Sequence, residues 1–171
     1  VEIGYLKNFI LPNGKLLCKS SYEAVTPFSE GIASVLKNGS WGLIDSNGKE
    51  IGGFQYDYIE PFCNGFARVY SAGLSGFINK KGKLIVPLEY ATVKPIDMYY
   101  AGDISWLFFY DGLAGVEKTF RYGFVNTKGK LVIPAKYDEI TPFKNGYARV
   151  RYYGKWGYIN TKGKEFFIDE I

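Results

Sequence analysis

The chain has 171 residues, of which 47% are hydrophobic and 18% aromatic, so it is long enough for one domain with an apolar core. It contains no histidine, which excludes Ser-His-Asp and Cys-His catalysis and His-based zinc sites. The net charge of +4 is mild and the lysines recur at turn positions, so we predict no nucleic-acid binding. No apolar run of the sequence reaches the ~18 residues of a membrane span, so we predict none.

One module recurs along the chain every 34 residues. Its Asn/Lys-Gly-Lys turns have glycines at intervals of 34, 34, 47 and 34, namely Gly14, Gly48, Gly82, Gly129 and Gly163. Prolines follow the same spacing, at Pro27, Pro61, Pro95 and Pro142, so 13 extra residues follow Pro95. Such a period is typical of modular arrays. We predict a single repeat domain over residues 1–171, with units of about 1–30, 31–64, 65–111, 112–145 and 146–171 and an insertion at 98–110.

Each unit contains the same predicted elements in the same order. Alternating apolar residues such as Ala33 and Val35 predict a half-buried strand. A second strand follows, and Asn47-Gly48 predicts a type I′ hairpin turn after it. A short apolar run ended by proline predicts a third strand, and the following Tyr-Asp-x-Ile-x-Pro-Phe piece predicts a fourth short strand or an extended arm.

A constant glycine lies inside the second predicted strand of each unit, at Gly42, Gly76, Gly123 and Gly157. A glycine at such a place indicates a bulge, a bend or a close approach of other atoms. We expect it to let an aromatic ring from a neighbouring unit lie flat on the chain. No stretch has the sustained period of a capped helix, so helix should be scarce.

These patterns predict an all-β fold in which tandem ~34-residue hairpin repeats form an open, twisted β-repeat array. The alternative is a closed, propeller-like ring. A ring that shares one unit between its termini needs complementary fragments, whereas residues 1–30 and 146–171 duplicate much of the same part of the module. This duplication favours the open array.

The best-marked segments resemble a known family. Lys155-Trp156-Gly157-Tyr158-Ile159-Asn160 with Gly163-Lys164, and Tyr137-Asp138-x-Ile140-x-Pro142-Phe143, resemble the bacterial WG repeat. The resemblance covers essentially the whole chain apart from roughly 97–111, although only Trp41 and Trp156 keep the tryptophan. It implies a repeat-built bacterial interaction module, and it implies no chemistry.

The sequence predicts no catalytic residues, no cofactor and no metal site, so we expect a protein that is not an enzyme. Carboxylates could still pair as in a glycoside hydrolase, for example Asp57 with Glu60 or Asp138 with Glu139. The alternative is that they are turn and strand-edge residues. Cys18 and Cys63 occupy different positions of the repeat, and we expect two free, partly buried thiols.

The expected function is binding of a protein or peptide partner, on a bacterial surface, in the periplasm or within a larger polypeptide. The alternative is glycan or cell-wall binding by aromatic stacking, for which Trp41 and Trp156 are the candidates if they do not pack between repeats. Insertions in repeat proteins often form the binding face, and aromatic anchors dominate interfaces. The candidate anchors are therefore Tyr99, Tyr100, Trp106, Phe108 and Phe109. If the insertion is a binding arm, deletion of residues 98–110 should leave stability nearly unchanged and remove binding; if it covers the core, the deletion should destabilise the fold.

Overall fold

The computed structural model describes residues 1–91 and 108–167. These residues form seventeen strands in five antiparallel sheets, and they contain no helix. The all-β prediction is therefore confirmed for the described part of the chain. Within that part, no helix could span a membrane.

The sheets follow one another along the chain, and each is built from consecutive strands. The first sheet has two short strands, β1 (Glu2–Ile3) and β2 (Leu6–Lys7). The second has β3 (Ala24–Val25), β4 (Ile32–Lys37), β5 (Ser40–Asp45) and β6 (Glu50–Tyr56). The third has β7 (Tyr58–Ile59), β8 (Phe66–Ser71), β9 (Leu74–Asn79) and β10 (Leu84–Ala91). The fourth has β11 (Leu113–Lys118), β12 (Arg121–Asn126) and β13 (Leu131–Tyr137), and the fifth has β14 (Glu139–Ile140), β15 (Tyr147–Tyr152), β16 (Lys155–Asn160) and β17 (Glu165–Phe167).

The Tyr-Asp-x-Ile piece forms the short first strand of a sheet. Tyr58 pairs with Tyr70 and Ile59 pairs with Val69, so β7 joins the hairpin that follows it in the chain. The second, third and fifth sheets therefore each take their short strand from the end of one sequence unit and their hairpin from the next. The corresponding positions for the fourth sheet lie outside the described residues.

Two kinds of turn join the long strands, and the type I′ turn lies at a different place from the one predicted. Gly48 has a φ of 76° and Asn47 is not in the positive-φ region, so the Asn47-Gly48 turn is not type I′. There the Asp45 carboxylate accepts the N–H groups of Asn47 and Lys49. The type I′ geometry occurs in the preceding hairpin, where both central residues have positive φ, as in Asn38 (52°) and Gly39 (73°).

The constant glycine inside the second long strand is a place of close approach, as predicted. A Cβ atom at Gly42 would lie 2.8 Å from the ring of Phe54, and one at Gly123 would lie 2.5 Å from the carbonyl oxygen of Ile133. However, Phe54 and Ile133 belong to the next strand of the same sheet. The expectation of a ring from a neighbouring unit was wrong, because the third strand of the same sheet, whose pairing with the second strand shifts register beside the glycine, lies over it.

The apolar cores lie between successive sheets. Within the described residues there are four buried clusters: three join successive sheets from the second to the fifth, and one packs Cys18 and Tyr22 on the second sheet. In β8, Ala67 and Val69 belong to the cluster shared with the second sheet, whereas the neighbouring Phe66 packs on the cluster shared with the fourth. Internal strands are therefore buried on both faces, because every internal sheet has a neighbour on each side.

A charged side chain also lies between the third and fourth sheets. Arg68 is fully buried, and its Nη2 atom donates to the carbonyl oxygen of Gly115 at 2.5 Å. Burial lowers the pKa of Arg68 to about 10, against the opposing effects of Tyr70 and Glu60. The guanidinium also lies 4.6 Å from the ring centroid of Phe77, so its flat face covers apolar surface.

Side chains of the turns before the long hairpins link each sheet to the next. The Glu30 carboxylate accepts the N–H of Gly65 at 3.0 Å and pairs with Lys80 at 3.1 Å. The Asp111 carboxylate accepts the N–H of Gly146 at 2.7 Å in the same way. These bonds fix the offset between neighbouring sheets.

The array is open. No sheet closes into a barrel, and within residues 1–91 and 108–167 no strand of the fifth sheet pairs with a strand of the first. The predicted open arrangement of tandem β-repeats agrees with this topology, whereas a closed ring does not.

The Glu30 link makes stability depend on pH. Burial by itself raises the pKa of Glu30, but hydrogen bonds from Lys80 and Gly65 outweigh it and hold the pKa below its ordinary value. A carboxylate with a lowered pKa stabilises the fold above its ordinary pKa of 4.5 and loses this effect as the pH falls through the folded-state value. We expect Glu30→Gln to lower the free energy of unfolding at pH 7 by less than about 1 kcal/mol, because solvent screens the partly exposed pair. Urea unfolding from pH 7 down to pH 3 should show this difference disappear.

The matched control is Glu117→Gln, since Glu117 forms no ion pair among the described residues. Its free energy of unfolding should differ little from that of the wild type at any pH in this range. An equal loss of unfolding free energy for Glu30→Gln at pH 7 and at pH 3 would contradict a stabilising role for the Glu30 charge.

Candidate functional site

The predicted anchor Phe109 is a core residue. It is only 2% exposed, and its ring centroid lies 4.6 Å from that of Phe66 and 4.9 Å from that of Phe77. It fills the space between the third and fourth sheets. The prediction that Phe109 is an exposed binding anchor was therefore wrong.

Phe109 belongs to the repeat and not to the insertion. Tyr110 exchanges two backbone hydrogen bonds with Leu113, each of 2.9 Å, and equivalent bonds occur before the other long hairpins. The other units carry Pro-Phe-x-(Glu/Asn)-Gly at this place, so Phe109-Tyr110-Asp111-Gly112 is the end of a motif that Pro95 begins. The insertion is thus residues 96–108 rather than 98–110. The spacing from Phe to Gly is the sequence signal that would have located it.

The other residues predicted in the insertion have different outcomes. Phe108 is half-buried. Tyr99, Tyr100 and Trp106 lie outside the described residues, so their role as anchors stays a prediction.

The two tryptophans of the repeat differ in their surroundings. Trp41 is half-buried, packs on the core between the second and third sheets, and meets the Tyr58 ring edge-on at 5.8 Å. Trp156 is 39% exposed, and the guanidinium of Arg149 lies 4.0 Å from its ring centroid. Trp41 is thus mainly a packing residue, whereas Trp156 is accessible at the surface.

Trp156 belongs to an uncovered face of the fifth sheet, a face on which no other part of residues 1–91 and 108–167 packs. Along β15, Tyr147 and Arg149 are exposed while Ala148 and Val150 are buried against the fourth sheet. Internal strands such as β8 show no such alternation, because their second face is covered as well. The fifth sheet therefore presents to solvent a face that the internal sheets bury.

This face is aromatic and basic, and it contains a groove. Tyr147 is 51% exposed and Tyr158 is 53% exposed, which is unusual for the central strands of a sheet. A groove of about 620 Å³ runs along the face, lined by Tyr110, Thr141, Pro142, Phe143, Lys144, Asn145, Tyr147, Arg149 and Tyr158. Its rings offer apolar surface, and Arg149 and Asn145 offer hydrogen-bond donors. This chemistry suits an apolar or aromatic group that lies beside a carbonyl or carboxylate oxygen.

The carboxylates proposed as possible acid pairs have separate structural partners. Asp57 accepts the N–H of Ala72 at 2.8 Å, at the turn of the β8–β9 hairpin. Glu60 is 9% exposed and accepts from the Tyr70 hydroxyl at 3.2 Å. Burial raises the pKa of Glu60, and Tyr70 and Arg68 oppose this rise.

The second pair follows the same pattern. Asp138 pairs with Arg121 and also accepts from the N–H of Gly154, at the turn of the β15–β16 hairpin. Glu139 pairs with Arg151 at 2.5 Å. The Asp of the Tyr-Asp motif is thus a turn-capping residue in both units.

No group of three or more His, Cys, Asp or Glu side chains with the geometry of a metal site occurs in the described ranges. Cys18 is buried and Cys63 is half-buried, and both are free thiols, as predicted.

The chain matches the family model described as WG containing repeat over residues 9–41, 41–73, 76–97, 122–156 and 156–167. The matches include the Tyr137–Phe143 and Lys155–Asn160 segments and all the strands of the fifth sheet. A search of curated proteins finds no significant match.

Two deletions of equal length test the corrected boundary of the insertion. Deletion of 96–108 joins Pro95 to Phe109 and restores the Pro-Phe-Tyr-Asp-Gly motif, whereas deletion of 98–110 puts Ile96 in the place of Phe109. An aliphatic side chain cannot reproduce the ring contacts with Phe66 and Phe77, so we expect the second deletion to be less stable by roughly 1–3 kcal/mol. Urea unfolding of both variants measures the difference. Equal midpoints would show that Phe109 contributes nothing particular to the core.

Proposed function

The chain belongs to the family of WG-containing repeat proteins, and from this premise we propose that it is a non-enzymatic interaction module. It binds a polypeptide partner on the outer face of its fifth sheet. The observation that carries the proposal is the exposure of Tyr147, Trp156 and Tyr158 on a face that the internal sheets bury.

The composition of this face supports a protein interface. Contiguous exposed apolar patches mark interaction sites, and this face presents three exposed aromatic rings together. Tyr, Trp and Arg are the residues most enriched at the energetic centres of interfaces. Arg149 over Trp156 places two of them in direct contact.

The geometry favours a polypeptide over a glycan. A sugar stacks on an open ring face, but the guanidinium of Arg149 already covers one face of Trp156. A polypeptide offers carbonyl oxygens to this guanidinium and apolar side chains to the neighbouring tyrosines. Glycan binding through Tyr147 and Tyr158 remains the alternative function, and the experiment below separates the two.

The non-enzymatic part of the proposal rests on residue chemistry. The sequence has no histidine to act as a general base. Asp57 and Asp138 are engaged by backbone N–H groups of turns, and Glu60 is engaged by a tyrosine hydroxyl. Each has a role in stabilising the fold, which accounts for its place in the repeat.

The test compares a face variant with a matched control. Tyr147→Ser/Tyr158→Ser removes two rings from the uncovered face, whereas Tyr5→Ser/Tyr153→Ser removes two rings that are exposed elsewhere, at 101% and 78%. Both variants should fold, because all four side chains are at least half exposed. Proteins captured from source-cell extracts by the wild-type chain and by each variant are quantified by mass spectrometry, and candidates are then measured as purified pairs.

We expect a partner whose affinity falls by at least about tenfold for the face variant and stays unchanged for the control. Binding partners that all tolerate the face variant would contradict the proposal. A purified glycan that binds the wild-type chain and loses affinity with the same variant would identify the alternative function instead.

A further inference from the structure

We infer that the groove of the fifth sheet recognises an aromatic side chain followed by a turn of the type x-(Asp/Asn/Glu)-Gly, presented by another polypeptide. This inference deepens the proposed function, on which it rests, by naming the chemistry of the partner. Its basis is an internal example of the same docking event, between the third sheet and the segment that begins at Phe109.

The internal example has three contacts. The ring of Phe109 lies against Phe66 and Phe77. The side-chain amide of Asn64 donates to the carbonyl oxygen of Phe109 at 2.7 Å. The guanidinium of Arg68 donates to the carbonyl oxygen of Gly115, six residues further along the docked segment. One ring and two carbonyl oxygens are therefore recognised together.

The fifth sheet carries the same set of docking groups in the same register. In the third sheet Arg68 lies opposite Phe77 and Phe66 opposite Asn79. In the fifth sheet the equivalent cross-strand pairs are Arg149 opposite Tyr158 and Tyr147 opposite Asn160.

The turn residue is also shared, since Asn64-Gly65 and Asn145-Gly146 occupy equivalent positions with similar φ angles. The second and fourth sheets lack the arginine, because Ser34 and Gly115 stand in its place. The complete set occurs in the third and fifth sheets, and in the fifth it faces solvent.

Three substitutions separate the occupied site from the open one, and one of them puts Trp156 in the place of Ser75, to which Arg68 donates. Phenylalanines 66 and 77 of the third sheet are replaced by Tyr147 and Tyr158 in the fifth. A tyrosine keeps the apolar ring and adds a hydroxyl that water can solvate, so the face tolerates exposure when nothing is bound. Such a change suits a site that is filled reversibly.

A second copy of this chain does not supply the required group in accessible form. Its own aromatic-turn segments begin at Phe28, Phe62, Phe109 and Phe143, and the last three are buried in its core. Phe28 is 37% exposed, but its ring already packs on Phe9 of its own chain, with 4.8 Å between the ring centroids. The exposed apolar side chains of residues 1–16 are the aliphatic Val1, Leu6, Ile10 and Leu16, with Tyr5. We therefore assign the groove to a different polypeptide.

The probe is a head-to-tail cyclic peptide that contains the sequence of residues 109–115, Phe-Tyr-Asp-Gly-Leu-Ala-Gly. Its binding is followed by NMR through the indole N–H of Trp156 and the side-chain amide of Asn145. We expect saturable shifts at both groups, and we expect a peptide with Phe109→Ala to bind at least about tenfold more weakly. The protein variant Tyr158→Ser should lose the same factor, whereas Tyr153→Ser should bind as the wild type does.

Three outcomes would overturn the inference. They are the absence of saturable shifts, equal binding by the Phe109→Ala peptide, and concentration-dependent self-association of the chain that covers Trp156 without any effect of the peptide. The proposed function has a separate readout. If a purified partner still depends on Tyr147 and Tyr158 while the peptide neither binds nor competes, the inference fails and the proposed function stands. If the peptide binds but every cellular partner tolerates the face variant, the proposed function fails.

Discussion

The burial of apolar side chains between successive sheets is the interaction on which the rest of the structure depends. A small antiparallel sheet cannot bury both of its faces by itself, so each one needs its neighbours. Three clusters of buried residues join the second to fifth sheets pairwise, and a fourth packs Cys18 and Tyr22 on the second sheet. The turn links, such as Glu30 to Gly65, then set the offset at each step. Stability in such an array is expected to depend mainly on contacts between nearest neighbours, and the fifth sheet has a face that no described residue covers.

The parts of the fold that repeat could be predicted from the sequence, because every unit forms the same strands and turns and therefore has similar residue types at equivalent positions. The period, the all-β class and the short strand at Tyr58 and Ile59 all follow from such marks. Features that occur only once along the chain were harder to predict. Phe109 was assigned to the insertion because the insertion separates it from Pro95, and its burial together with the Phe-to-Gly spacing shows that it completes the motif. The turn at Asn47-Gly48 was misassigned because a bonded Asp45 side chain, and not the dipeptide alone, determines its type.

The candidate site was harder to predict for a related reason. Every sheet has two faces, and the pattern of apolar residues within one unit does not show whether a neighbouring sheet covers the second face. A weak signal exists, since Tyr147 and Tyr158 stand where the third sheet has Phe66 and Phe77. The predicted anchors were sought where the copies differ in length. In the structure the candidate site instead lies where the third and fifth sheets have equivalent docking groups, which the next sheet covers only in the third.

The most direct test of this account is hydroxyl-radical footprinting of the purified chain, with each rate divided by the rate for the same residue in unfolded protein. It compares equivalent positions of two sheets in one molecule. If neighbouring sheets cover the internal faces and nothing covers the last one, Tyr147 and Tyr158 will be modified rapidly while Phe66 and Phe77 are protected. Equal protection at the four positions would contradict the account, because it would mean that the outer face of the fifth sheet is as well covered as the internal ones.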